Sequence, residues 1–238
     1  MELGQAKTPE GTRIYAIGDV HGMDAELAAI HAAIAADRAA RPVPRAVTVH
    51  IGDYTDRGPD SAAVVERLAA LSARDPDVIC LRGNHDQKLL DFLIDPEEAA
   101  PAFFDFGGKA TLKSYGVNPR GQNYTGLARQ LAEKMPASHR AFLEALPYSV
   151  RFGDYFFCHA GIRPGVPLQA QIPDDLMWIR GEFLNDRRDF GAVVVHGHTP
   201  TGDARPEIRP NRIDIDTGCV YGGPLTCLVL ESIDVRFL

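Results

Sequence analysis

The stretch from Val47 to Pro59, Val-Thr-Val-His-Ile-Gly-Asp-Tyr-Thr-Asp-Arg-Gly-Pro, runs from an apolar, β-branched segment into a loop holding two carboxylates and a guanidinium. Asp53 and Asp56 are residue types that hold a hard or borderline divalent cation, and Arg57 can fork onto two oxygens of a phosphate. Alone, such a loop is an ordinary turn, because Asp and Gly favour turns for backbone reasons. The construction recurs, however. Gly18-Asp19-Val20-His21-Gly22, Gly83-Asn84-His85-Asp86, His159-Ala160-Gly161 and His196-Gly197-His198-Thr199-Pro200 each follow a short apolar run.

Imidazoles mixed with carboxylates and an amide oxygen, without thiolate, suit Mn²⁺, Fe²⁺ or a catalytic Zn²⁺ better than a structural zinc site. The donors suffice for two ions, with Asp53 in the central loop as the natural bridge. Two metals about 3.5–4 Å apart clamp the attacking and leaving oxygens of an in-line displacement at phosphorus. A single histidine near a strand end is more often a satisfied structural residue; five repetitions are what carry the metal inference.

The positioning elements follow a β-α rhythm, and in an α/β sheet the loops leaving the carboxyl ends of strands form the ligand crevice. After a polar lead-in over residues 1–12, a strand is expected over Arg13–Ile17 and a helix over Asp24–Arg41, with Leu27, Ile30 and Ile34 at helical spacing and Asp24 available as a cap. His31 lies in that helix and reads as surface or half-buried. Asp60 can cap a second helix with the stripe Val64, Val65, Leu68 and Leu71, and a strand follows over Asp77–Arg82.

Residues 87–147 read as a helical insert broken by Pro96, Pro101, Gly107-Gly108, Gly116, Pro119 and Gly121, with helices expected near Leu89–Leu93, Ala110–Tyr115 and Ser138–Leu146. Its Lys109, Lys113 and Arg120 are expected to be solvated. Strands are then expected over Arg151–Cys158, Ala192–Val195, Arg212–Asp216 and Leu225–Leu238, with cap-forming Asp174 and Asp175 opening a segment that reaches Arg180. The 238 residues fit one α/β domain, residues 1–238, with the insert within it.

A hydrophobic share of 45% and a charged share of 24% are those of a globular chain, and the net charge of −7 argues against a nucleic-acid or anionic-membrane binder. No signal-peptide core or membrane-length apolar run is present, so the expected location is the cytoplasm and the expected state a monomer. Cys80, Cys158, Cys219 and Cys227 lack metal-site spacing and read as buried reduced thiols.

In order, Gly18-Asp19-Val20-His21-Gly22, Gly52-Asp53-Tyr54-Thr55-Asp56-Arg57-Gly58, Gly83-Asn84-His85-Asp86, His159-Ala160-Gly161 and Gly197-His198-Thr199 resemble the motif set of the phosphoprotein phosphatase family of metallophosphoesterases, in its short bacterial form. The resemblance implies a four-layer sandwich of two mixed β-sheets flanked by helices. It implies that Asp19, His21 and Asp53 hold one metal, and that Asp53, Asn84, His159 and His198 hold the other, Mn²⁺ first with Fe or Zn as alternatives. His198 is preferred to His196 because it fills the Gly-His-Thr position. His85, paired with Asp56, would be the general acid, and Arg57 and Arg180 would bind phosphate together with Asn84, with Arg187 and Arg188 as alternatives to Arg180. The implied mechanism is direct attack by water activated between two metals, with no phosphoenzyme and no role for Cys158. The turn Gly218-Cys-Val-Tyr-Gly-Gly223 departs from the eukaryotic members, so docking of their regulatory subunits is not carried over.

The first expectation of function is a phosphatase acting on phosphoserine and phosphothreonine, with phosphotyrosine as an extension, whose partner is a phosphorylated protein or peptide. The second is symmetrical hydrolysis of diadenosine tetraphosphate, for which Phe103, Phe104, Phe106 and Tyr115 in the insert could clamp adenine. The third, from a different class, is an inactive module that binds phosphate or a partner. Tyr221 is a candidate for the site mouth, with a buried or half-buried role as the alternative.

Overall fold

The computed structural model describes residues 2–120 and 123–238. Met1, Gly121 and Gln122 lie outside the described residues, and with them the expected break at Gly121. Ten strands form two sheets: β1 (Thr12–Ile17), β2 (Arg45–His50), β3 (Val78–Cys80), β4 (Ser149–Phe152), β5 (Tyr155–Cys158), β6 (Val193–His196), β7 (Glu207–Ile208), β8 (Arg212–Asp214), β9 (Cys227–Glu231) and β10 (Asp234–Phe237). One sheet has the order β10-β9-β1-β2-β3 and the other β4-β5-β6-β8-β7. Both are mixed: β1 and β2, β2 and β3, β5 and β6, and β6 and β8 are parallel, while β1 and β9, β9 and β10, β4 and β5, and β7 and β8 are antiparallel.

The helices are α1 (Asp24–Ala40), α2 (Ser61–Arg74), α3 (Asn84–Ile94), α4 (Pro96–Asp105), α5 (Gly108–Ser114), α6 (Tyr124–Lys134), α7 (Ala137–Ala145), α8 (Pro173–Trp178) and α9 (Gly181–Leu184). Strand alternation sorts side chains between layers. Ile14 and Ala16 of β1 enter the core between the sheets with Tyr155 and Phe157 of β5, whereas Tyr15 and Ile17 face α1 and α2. On the far side Phe156 and Cys158 meet Leu176, Ile179 and Phe183 of the α8–α9 region. Burial on both faces is why these strands read as continuous apolar runs. The result is the expected four-layer α/β arrangement, and the carboxyl ends of β1, β2, β3, β5 and β6 meet at one edge of it.

Several local expectations are corrected. Arg151–Cys158 is an antiparallel hairpin turning at Gly153 and Asp154, and Leu225–Leu238 is likewise two strands, β9 and β10. Pro96 stands at the break between α3 and α4 as expected, and it opens α4, since the first helical position needs no N–H partner; Asp95 caps that helix by accepting from the Glu98 N–H at 3.3 Å. Pro101 lies within the same helix. The helix α6, capped by Asn123 accepting from the Gly126 N–H at 2.8 Å, was not expected. Asp24 does not cap α1; its carboxylate clamps Arg67 of α2 with contacts of 2.7 and 2.8 Å. Asp175 serves Arg163. Among the described residues no helix is long and apolar enough to cross a membrane.

Candidate metal centre

Asp53 is the hub. It follows β2 in a left-handed backbone conformation, and so do His21, Asp56, Arg57 and His198, with φ from 44° to 71°. Five of the seven described non-glycine residues at positive φ are thus candidate site residues. Such conformations cost energy and persist where surrounding bonds over-determine them. Here the loops are laced together: the His21 N–H donates to the Asp53 carbonyl at 2.8 Å, and the Gly197 N–H donates to the His159 carbonyl at 2.8 Å. The Asp86 carboxylate accepts the N–H groups of Asp53, Tyr54 and Gly83 at 2.9–3.1 Å.

The two oxygens of Asp53 face different partners. Oδ1 lies 3.4 Å from His159 Nε2, while Oδ2 lies 3.4 Å from His21 Nε2 and 3.9 Å from His85 Nε2. Two groups of ligand atoms result, each within 4.8 Å: His21, Asp53 and His85, and Asp53, His159 and His198. Asn84 joins the second group, its Oδ1 being 2.9 Å from His159 Nε2 and 2.8 Å from His198 Nδ1. Asp19 stands beside these groups, its carboxylate accepting the His198 N–H at 3.1 Å.

These residues fit a pair of divalent cations. Atoms sharing one cation at about 2.1 Å lie about 3.0–3.4 Å apart, close to the 2.8–3.9 Å found around Asn84 and Asp53. Outer hydrogen bonds fix the ring tautomers: His21 Nδ1 donates to the Thr55 carbonyl at 2.8 Å and His159 Nδ1 to the Ile51 carbonyl at 3.1 Å. Each Nε2 lone pair is thereby turned inward. The Nδ2 of Asn84 is buried without a hydrogen-bond partner, an orphan donor at the edge of the cluster.

Charge states follow from burial and neighbours. Burial pushes His21 down to about 3, His85 to about 4 and His198 to about 2, so all three are neutral near pH 7. Burial opposes ionisation of Asp53, but His159, His85 and His21 outweigh it and hold the carboxyl well below its usual range. His159 is raised: burial opposes its charge, and the neighbouring Asp53 carboxylate outweighs burial. Burial and like charges push Asp19 and Asp56 well above the carboxylate range, and Asp86 to about 7.

Asp56 and His85 form a dyad, with Asp56 Oδ2 2.8 Å from His85 Nδ1. Arg57 Nη1 donates to His21 Nε2 at 2.7 Å, and Arg180 Nε donates to His198 Nε2 at 3.1 Å. The alternatives to Arg180 stay outside: Arg187 is exposed, and exposed Arg188 pairs with Asp186 at 2.8 Å. His196 turns away from the cluster toward Arg212 and Phe183. Cys158 is buried with its thiol pushed up, so it offers no thiolate.

The insert does abut the site. Thr111 of α5 donates to Asp56 Oδ1 at 2.6 Å, and Phe106 places its ring edge-on to His85 at 5.1 Å and to Trp178 at 5.5 Å. Of the expected adenine clamp only Phe106 is near the Asp56–His85 pair: Phe103 is buried on Phe92, Phe104 packs on the same ring, and Tyr115 is buried against His139. Thr111, Trp178 and the bracing role of Asp86 were not among the expected site residues. Asp86 stood within a quoted motif, but the sequence carries no sign that its carboxylate faces three amides. Tyr221 is 66% exposed, with the Arg57 guanidinium 5.5 Å from its ring centre, so the buried alternative is overturned.

Residues 12–235 match the family model described as calcineurin-like phosphoesterase. The chain is 29% identical to a bis(5'-nucleosyl)-tetraphosphatase PrpE [asymmetrical] of Halalkalibacterium halodurans, over 92% of this chain and 90% of that one. It is 31% identical to the protein of that name from Bacillus velezensis, over 88% and 86% of the two chains. A solved structure of a candidate diadenosine tetraphosphatase superposes with a TM-score of 0.66 at 25% identity, covering 98% of this chain and 97% of that one.

Proposed function

The chain belongs to the calcineurin-like phosphoesterase family, and within it we propose that this protein hydrolyses dinucleoside polyphosphates at a dinuclear metal site. The observation that carries the hydrolytic reading is the position of Asp53, one oxygen toward His159 and the other toward His21 and His85, beside the Asp56–His85 dyad. The relatives named as asymmetrical tetraphosphatases, matched along nearly the whole chain, support a nucleotide substrate over the phosphoprotein substrate expected first.

Asp19, His21 and Asp53 would hold one ion, and Asp53, Asn84, His159 and His198 the other, with Mn²⁺ the first choice for this donor set. Bound ions would lower the pKa of the attacking water and neutralise charge on the phosphoryl oxygens. Arg57 and Arg180 orient the phosphoryl group from two sides, and the unpaired Asn84 Nδ2 supplies a further donor. His85 is neutral in the free protein and keeps its Nδ1 proton on Asp56. An anionic phosphoryl group nearby raises its proton affinity, so that Nε2 takes up a proton from solvent and the imidazolium, positioned by Asp56, gives that proton to the leaving oxygen. The reaction is direct displacement, and the chain needs no side-chain nucleophile for it.

The test is turnover of the Mn²⁺-loaded protein on diadenosine tetraphosphate and on phosphoserine, phosphothreonine and phosphotyrosine peptides, with Asp53→Asn as control. Hydrolysis of the nucleotide supports the proposal, with ATP plus AMP marking asymmetrical and two ADP symmetrical cleavage. Peptide turnover without nucleotide turnover would replace it with the phosphoprotein reading, and silence on every substrate would leave a binding module.

A further inference from the structure

Tyr221 is the most exposed of the large aromatic side chains among the described residues, at 66%, yet it stands on a tightly tied turn. The Tyr221 and Gly223 N–H groups both donate to the Gly218 carbonyl, at 2.8 and 3.1 Å, and Gly218 N–H donates to Asp216 Oδ1 at 3.0 Å. Gly218 and Gly222, at φ 68° and 96°, bracket the ring, and buried Cys219 anchors the turn below it. A ring carried on an ordered turn costs less backbone entropy when it meets a ligand than one on a loose loop.

The ring is aligned with the chemistry. Arg57 lies 5.5 Å from its centre, and the same guanidinium donates to His21 Nε2 at 2.7 Å, so Arg57 links Tyr221 to the cluster. The other aromatic at the mouth differs: Trp178 is edge-packed on Phe106 and His198, and Lys88 Nζ sits 5.7 Å from its ring centre. Tyr221 therefore offers an open π-face beside a phosphate-binding cation.

We infer that Tyr221 is a specificity-determining residue, a platform on which one nucleobase of a nucleoside polyphosphate stacks while Arg57 takes a phosphate of the same nucleotide. The inference rests on the nucleotide reading above. Flat π-surface and phosphate joined by a short sugar match an exposed ring with a guanidinium 5.5 Å from its centre, the guanidinium covering one face and a base stacking on the other, and base stacking on aromatic side chains is tolerant of base identity.

The test compares equilibrium binding of ATP and of inorganic tripolyphosphate, in the presence of Ca²⁺, to the unaltered protein and to Tyr221→Ala and Tyr221→Trp. The unaltered protein should prefer ATP, Tyr221→Ala should lose about tenfold of that preference, and Tyr221→Trp should keep it. A perturbed Arg57 alone would weaken both ligands alike and leave the ratio unchanged. An unchanged ratio in Tyr221→Ala, or no preference in the unaltered protein, overturns the platform. Hydrolysis of diadenosine tetraphosphate, followed in parallel, separates the two claims: turnover with an unchanged binding ratio sinks the platform and leaves the nucleotide reading, whereas absent nucleotide turnover with active peptide hydrolysis sinks both.

Discussion

Thr111 Oγ1 lies 2.6 Å from Asp56 Oδ1, so a helix of the insert fixes the carboxylate whose other oxygen holds His85 Nδ1 at 2.8 Å. Asp56 is buried, and burial pushes its carboxyl well above the usual range while the Thr111 hydrogen bond pulls it back. Removing that donor raises the carboxyl further and frees Asp56 Oδ1, which loosens the group that positions His85. Thr111→Val should therefore lower kcat about 10- to 100-fold and cost about 1–2 kcal/mol of stability, while Thr111→Ser stays near the unaltered protein. Equal loss in both variants would show that the hydroxyl is not what matters.

Asp53→Asn keeps the shape of the hub but removes the charge to which His159 owes its raised proton affinity. Both candidate clusters lose their shared carboxylate. Bound Mn²⁺, counted by elemental analysis after dialysis, should fall from about two equivalents to below about one, and turnover should fall at least about 100-fold. Full metal content in the variant would exclude Asp53 as the bridge.

Acid stability should depend on a group far from the site. Asp37 of α1 accepts from Arg236 of β10 at 2.5 Å, from Tyr15 at 2.7 Å and from Arg13 of β1 at 3.3 Å, and it also pairs with Arg41. Burial would raise its carboxyl, but the hydrogen bonds from Arg236, Tyr15 and Arg41 win and hold it at about 2. The folded value is depressed, so the stabilisation is present above the unfolded value near 3.8 and is lost as the pH falls through about 2. Urea unfolding of Asp37→Asn against the unaltered protein should show a stability gap at pH 5 that closes between about pH 4 and pH 2. A gap independent of pH would assign the effect to packing.

What the sequence made legible was chemistry repeated locally. Each strand end announces itself by an apolar run, a glycine and a ligand-type residue, and the structure brings Asp19, His21, Asp53, Asn84, His85, His159 and His198 to one edge of the sheets. Contacts made across the chain carry no such local sign. Thr111 reaches Asp56 from 55 positions away, and Arg57 meets Tyr221 only because β8 and β9 bring the last turn back over the first loops. The missed helix α6 has only Leu127, Ala128 and Leu131 buried, too thin a stripe to stand out. The missed turn between β4 and β5 is the Gly153-Asp154 pair, a turn signal passed over between Phe152 and Tyr155 because the aromatic residues on either side read as one strand.

Gly83 shows how close the backbone must come. At φ −90° and ψ 166° any residue could adopt its conformation, so its importance is steric. A Cβ there would lie 2.1 Å from Asp53 Oδ1 and 2.2 Å from Asp53 N, atoms that cannot retreat because Asp86 and the His85 N–H hold them. Gly83→Ala must displace the hub or the strand end, at about 1–3 kcal/mol for overpacking. It should lower Tm by about 2–10 °C and abolish Mn²⁺ binding although every candidate ligand is intact. Gly202, with open space around its would-be Cβ, is the control, and Gly202→Ala should match the unaltered protein in both measurements. Retention of metal and Tm in Gly83→Ala would mean that the Asp53 loop has slack, and that its placement is set by the bound ions rather than by the protein's packing.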